Sequence, residues 1–172
     1  MIGFIDWVLR GIGQVVFQNN PLSGLIILAA IVYNSWIYGF ILIVGVVVGT
    51  ATACILQADK GLIKNGLFGF NGALVGVALV AFTSEDFRSG SLPSPHMFLY
   101  IVFAAAMTSI VFSSISALLG PHKVAALTMP FVLVGWLFLF AVLKFSSIEA
   151  GPLSKPVSPD QYELVTVYVI PT

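Results

Sequence analysis

Residues 17–25 read FQNNPLSGL: a Gln, two Asn and a Pro inside a block, 11–58, that carries no charge. The residue before a proline resists helical backbone angles, so a helix ends at Asn20. Pro21 has no N–H to lose in a first turn and opens the next helix. Upstream, residues 3–17 (GFIDWVLRGIGQVVF) place Phe4, Ile5, Val8, Ile12, Val15 and Val16 at near-helical spacing. Asp6 and Arg10, four apart, share one face. This helix is too short and too charged at its start to span a membrane, yet it ends within apolar sequence. A break of this kind is tolerated in lipid only where protein or a polar cavity satisfies the freed backbone groups. The stretch therefore predicts a re-entrant or half-spanning helix.

The surroundings make lipid the right solvent to assume. The chain is 59% hydrophobic and 8% charged, against about 25% charged in soluble domains. Its formal net charge is zero, which leaves no basic face for nucleic acid. The first positive charge, Arg10, follows apolar residues, so the N-terminus does not read as a signal peptide. Uncharged blocks at 11–58, 65–84, 89–122 and 124–143 have room for five spans at roughly 20 residues each. The predicted spans are 21–34, 35–56, 65–83, 96–119 and 123–143, the last interrupted by Thr128-Met129-Pro130. Polar loops lie at 57–64 and 84–95. The organisation is a membrane domain over 1–145 and a polar, Pro-rich tail over 146–172. The tail's end, YELVTVYVIPT, alternates like a short strand or an extended arm.

Within the spans, Gly45-x-x-x-Gly49 is a close-packing pattern that arises as readily by chance. Serines 109, 113, 114 and 116 are expected to bond their own helix backbone. Cys54, the only cysteine, reads as a small packing residue. With the N-terminus cytoplasmic, Arg10, Lys60, Lys64 and Lys123 fall on one side and Arg88, Lys144 and Lys155 on the other, a weak bias.

Three polar places interrupt the apolar blocks: Gln18-Asn19-Asn20, Asn71, and Thr128 beside Pro130. Each has a plain structural reading. Asn19 and Asn20 cap helix ends, Asn71 ties two helices together, and Thr128 satisfies the carbonyl that Pro130 frees. Together they make two helix breaks, each beside an uncharged hydrogen-bonding side chain, and broken helices with polar groups mark permeation sites. No span holds Asp, Glu, His, Lys or Arg, as a proton relay or cation pump would. The expected cargo is a neutral polar solute. No base, nucleophile pair or metal cluster lies in a span, so no enzyme, cofactor or metal is expected. Phe70 and Leu74 share a helix face after Gly69. Core, lipid-facing and pore-lining roles all remain open to them.

Three segments, FQNNPLSGLIILAAI, GLFGFNGALVGVAL and LTMPFVLVGWLFLFA, together resemble the urea transporter family in order and spacing across nearly all of 1–145. The resemblance implies an all-α integral membrane fold: one repeat of five transmembrane helices plus a re-entrant pore helix. Longer members pair two such repeats in opposite orientation, with a channel between them, and assemble as trimers. On this chain it implies a pore helix over 3–17, with Gln18 and Thr128 as oxygen acceptors. It makes Phe70 and Leu74 the walls of a slot for a planar solute. Asn19, Asn20, Pro21, Asn71 and Pro130 become the residues that shape the breaks. The implied function is passive, gradient-driven passage of urea, in the plasma (inner) membrane. The alternatives are a channel for water, glycerol or a short amide, or a non-conducting subunit. Each motif occurs once, so the expected partners, besides lipid, are an antiparallel copy of this chain or a second half-repeat.

Overall fold

The computed structural model describes residues 2–82 and 92–144. The charged loop residues Glu85, Asp86 and Arg88, the tail 146–172 and its suggested strand lie outside the described residues. Among the described residues the fold is all-helical: α1 (Ile2–Gln14), α2 (Pro21–Asn34), α3 (Trp36–Ile55), α4 (Lys60–Lys64), α5 (Gly69–Ala81), α6 (Pro95–Leu119) and α7 (Met129–Lys144). Two of them, α3 and α6, are long and apolar enough to cross a membrane. At 1.5 Å per residue α3 is about 30 Å long, the thickness of a bilayer's hydrocarbon core. The apolar helices α2, α5 and α7 are shorter, so the five-span expectation holds for these two helices and is not met by length in the other three.

The break at FQNNPLSGL forms as its residues dictate. Asn20 is extended (φ −141°, ψ 123°), and its side-chain oxygen accepts from the Leu22 N–H at 2.9 Å, which satisfies a first-turn donor of α2. Ser35, also extended, ends α2 and then caps α3 through the Tyr38 N–H.

Helix α5 is the centre. It packs against α1, α3, α6 and α7, and nine of its residues from Gly69 to Val80 are buried. A helix apolar on every side is a core helix. Its approach to α3 is close. A Cβ on Gly72 would collide with the Gly45 carbonyl, and one on Gly45 with the Gly72 carbonyl. A Cβ on Gly49 would come within 3.1 Å of the Phe68 carbonyl. Gly45 and Gly49 thus mark a true helix contact. Helix α6 then bonds to α3 through Ser109, whose Oγ donates to the Gly49 carbonyl at 2.8 Å. Ser109 therefore does not follow the expected pattern of bonding within its own helix, whereas Ser114 does, to the Ile110 carbonyl.

The helix ends depart most from expectation. Helix α1 stops at Gln14, not at residue 17, and turns with Phe17 at φ 58°. The loop 57–64 contains α4, capped by Asp59, and the segment expected from 65 becomes helical only at Gly69. The segment 123–128 is not helical, and α7 begins at Met129. Four ends share one closure, in which an N–H bonds to a carbonyl five residues back across a residue of positive φ. The bonds are Gln18 N–H to Gly13, Ala58 N–H to Ala53, Leu67 N–H to Leu62 and Val124 N–H to Leu119. The residues at positive φ are Phe17, Gln57, Gly66 and Lys123. Glycine usually fills that position, because other residues cross Cβ with the following carbonyl. Here only one of the four is glycine.

Candidate functional site

The second break is built around Asn71. This side chain is fully buried on α5. Its Nδ2 donates to the Leu127 carbonyl at 3.1 Å, and its Oδ1 accepts from the Phe131 N–H at 3.1 Å. Phe131 is the third residue of α7, where a backbone donor has no partner within its own helix. Asn71 supplies that partner from another helix. The remaining donors are also accounted for: Met129 N–H bonds Ala126, Pro130 has none, and Val132 N–H bonds Thr128. Pro130 is buried in the first turn, where its missing donor leaves nothing unpaired.

Thr128 is thereby freed. Its hydroxyl makes no hydrogen bond among the described residues, and the side chain is half-buried. The Ala126 carbonyl, which Pro130 cannot bond, accepts instead from Met129. The expected local role for Thr128 is thus taken by a neighbouring backbone N–H. Leu127 just before it sits at φ 44°, a strained angle for a branched side chain.

At the first break, Gln18 is exposed. Its backbone bonds Gly13 and Asn20, and its side chain has no hydrogen-bond partner among the described residues. Asn19 does not cap a helix. Its carbonyl and its side-chain oxygen both accept from the Arg10 guanidinium, at 3.1 and 2.9 Å.

Sequence reasoning passed over Gln14. This side chain, on the last residue of α1, is 8% exposed. Its Nε2 donates to the Asn65 carbonyl at 2.9 Å. A backbone carbonyl can only accept, so the amide must face it nitrogen-first. The Gln14 side-chain oxygen is left without a partner among the described residues. No sequence signal separates Gln14 from Gln18. The difference is burial, which depends on where α1 ends.

Phe70 is 1% exposed and enclosed by Phe68, Phe112 and Ala126, while Leu74 beside it is half-buried. Of the pair, Leu74 retains a face to offer. Phe17 is 62% exposed, an aromatic ring displayed at a strained turn beside Gln18. A cavity of about 330 Å³ lies elsewhere, between Trp7, Cys54, Gln57, Lys60 and Lys64. A smaller groove of about 190 Å³ runs between Leu79 on α5 and Phe131 and Trp136 on α7. None of the acceptor candidates lines either one.

The family model described as urea transporter matches residues 5–167. The chain is 37% identical to Urea transporter 1 of Rattus norvegicus over 163 residues, 92% of this chain and 40% of that protein. Against Urea transporter 1 of Mus musculus and of Ovis aries the identity is 36%, over 92% and 90% of this chain. The chain spans about two-fifths of the length of these curated relatives.

Proposed function

Since the chain belongs to the urea transporter family, we propose that it forms one wall of a passive, gradient-driven path for urea through the plasma (inner) membrane. It is a multi-pass membrane protein in this reading, one repeat of five membrane helices with α1 as the re-entrant helix. A partner repeat, either an antiparallel copy or a second chain, forms the opposite wall, and three such units assemble.

The observation that carries the reading is the pair of broken helices, each presenting an uncommitted oxygen. Urea is planar and neutral, with N–H groups at its edge and one acceptor oxygen. Stripping its water is costly unless acceptors replace that water. Gln18 and Thr128 are the acceptors proposed from the sequence, and the spare oxygen of Gln14 adds a third. Leu74, backed by Phe70, and the displayed ring of Phe17 provide flat apolar walls. They confine the solute faces without holding it, as conduction requires. Asn20, Pro21, Asn71 and Pro130 hold the two breaks open. A path shared between two repeats is an open face on either one alone. Exposed apolar side chains such as Leu22, Ile26, Phe103, Trp136 and Phe140 fit cover by lipid or by a partner repeat.

The test is flux into vesicles containing the purified chain. Saturable uptake of urea down its gradient, faster than that of glycerol, is expected. Thr128→Val, Gln18→Ala and Gln14→Leu should each lower it. Equal flux of urea and glycerol would favour a less selective path. No flux, together with co-purification of a second chain, would favour a subunit that conducts only in a complex.

A further inference from the structure

Asp6 and Arg10 on α1 are no acceptor candidates and line neither cavity described above, yet Arg10 and its neighbours make a dense set of side-chain hydrogen bonds. Arg10 Nε donates to the Asp6 carboxylate at 2.7 Å. Its Nη1 donates to the carbonyl and side-chain oxygen of Asn19. Asn19 Nδ2 donates to the Asn65 side-chain oxygen at 3.0 Å. The Asn65 carbonyl accepts from Gln14 Nε2 at 2.9 Å. Arg10 and Gln14 are four residues apart on α1, one turn, so the bonds close a ring: Arg10, Asn19, Asn65, Gln14 and back through the helix.

From this geometry we propose that Arg10 is a positioning residue of the pore wall, which fixes the turn 15–20 and the Gln14 amide against the turn 65–68. The inference rests on the urea-path reading above. Two features of the molecule require such a fixing. The turn contains Phe17 in a conformation that side chains disfavour, and strained backbone persists only where its surroundings over-determine it. The local bonds of the turn return to α1, stay within it or run to the first turn of α2, so they do not set its position relative to Asn65. The turn at 65–68 is in turn pressed onto α1. Gly66, at φ 74°, leaves no space for a Cβ against the Arg10–Gly11 backbone. The ring joins these two turns, takes in Gln14 and lies next in sequence to Gln18. Asp6 takes the Nε–H of the guanidinium, which leaves Nη1 to serve Asn19. A lysine provides a single point donor in place of this fork and does not reproduce it.

The test separates positioning from folding by means of a ratio. Urea and 1,3-dimethylurea permeabilities are measured in the same vesicles, so the number of folded channels cancels. Arg10→Ala, Arg10→Lys and Asn65→Ala should each lower the urea-to-dimethylurea ratio by about fivefold, the worth of one hydrogen bond. The Arg10→Ala/Asn65→Ala double variant should lower it little further, because both residues act through one ring. Lys60→Ala, outside the ring, should leave the ratio unchanged. Both permeabilities falling in step, with the ratio constant, would overturn the proposal, as would additive effects of the two alanines. Hydrogen exchange on the same samples judges the ring independently of transport. The Gln18 and Asn20 amides should exchange about tenfold faster in Arg10→Ala, and unchanged exchange overturns the proposal. Wild-type vesicles that pass no urea refute conduction by this chain alone and leave the exchange result to decide the ring.

Discussion

Replacing Asn71 by leucine tests how the second break is held. Leucine keeps asparagine's branched shape but is bulkier, so no cavity opens and any overpacking adds to the loss of the hydrogen bonds. The Phe131 N–H loses its acceptor and the Leu127 carbonyl its donor, both formerly at 3.1 Å. An orphaned buried backbone group costs about 1–3 kcal/mol. The Phe131 donor should meet that cost in full, because Asn71 is fully buried on α5. The Leu127 carbonyl should meet less of it, since Leu127 is 52% exposed and the carbonyl can turn toward water. The expected sum is about 2–4 kcal/mol, roughly 30-fold to 1000-fold in the unfolding equilibrium. Thermal unfolding in detergent, followed by tryptophan fluorescence, should shift down by roughly 5–15 °C. Amide exchange at Phe131 and Val132 should rise while exchange in α3 changes far less. Urea flux should fall with it, because Thr128 sits in the segment that Asn71 secures. A variant within about 0.5 kcal/mol of wild type, the usual range for surface changes, with Phe131 still protected, would refute the assignment of Asn71 as the cap of α7.

Two further substitutions probe the packing and the strain. Gly72→Ala places a methyl against the Gly45 carbonyl and must push α3 from α5. A loss of about 1–3 kcal/mol is expected, read by the same thermal assay, whereas Gly120→Ala, with open space around it, should change little. Leu127→Gly removes the penalty of φ 44° at a side chain that is half exposed. It should raise stability or leave it unchanged to within about 1 kcal/mol, and a clear loss would mean that the leucine side chain packs against something that matters.

Much of the architecture was legible because lipid imposes few solutions. Long uncharged blocks gave the apolar helices, and α2 runs over Pro21–Asn34 as its proline and asparagine require. The break at FQNNPLSGL was legible for the same reason, since Pro21 constrains Asn20 whatever surrounds it. The helix ends were not. Three of the four closures with positive φ use Phe17, Gln57 and Lys123, and none of these residue types signals a left-handed turn.

The sequence by itself determined a membrane chain with two breaks, the residue types at each break, and kinship with urea transporters. The first two follow from local backbone limits and from composition, which act without reference to distant residues, and the kinship follows from the resemblance of three segments. The tertiary structure decided which oxygens are free. Asn71 meets Leu127 and Phe131 from 56 and 60 residues away, and by feeding the first turn of α7 it leaves Thr128 uncommitted. Gln14 reaches Asn65, 51 residues on, with its nitrogen, and its own oxygen keeps no partner among the described residues. Arg10 and Asn19 hold that arrangement. Whether a side chain is an acceptor for solute depends on what its partners have already satisfied, and those partners are brought together only by packing α1, α5 and α7 into one body.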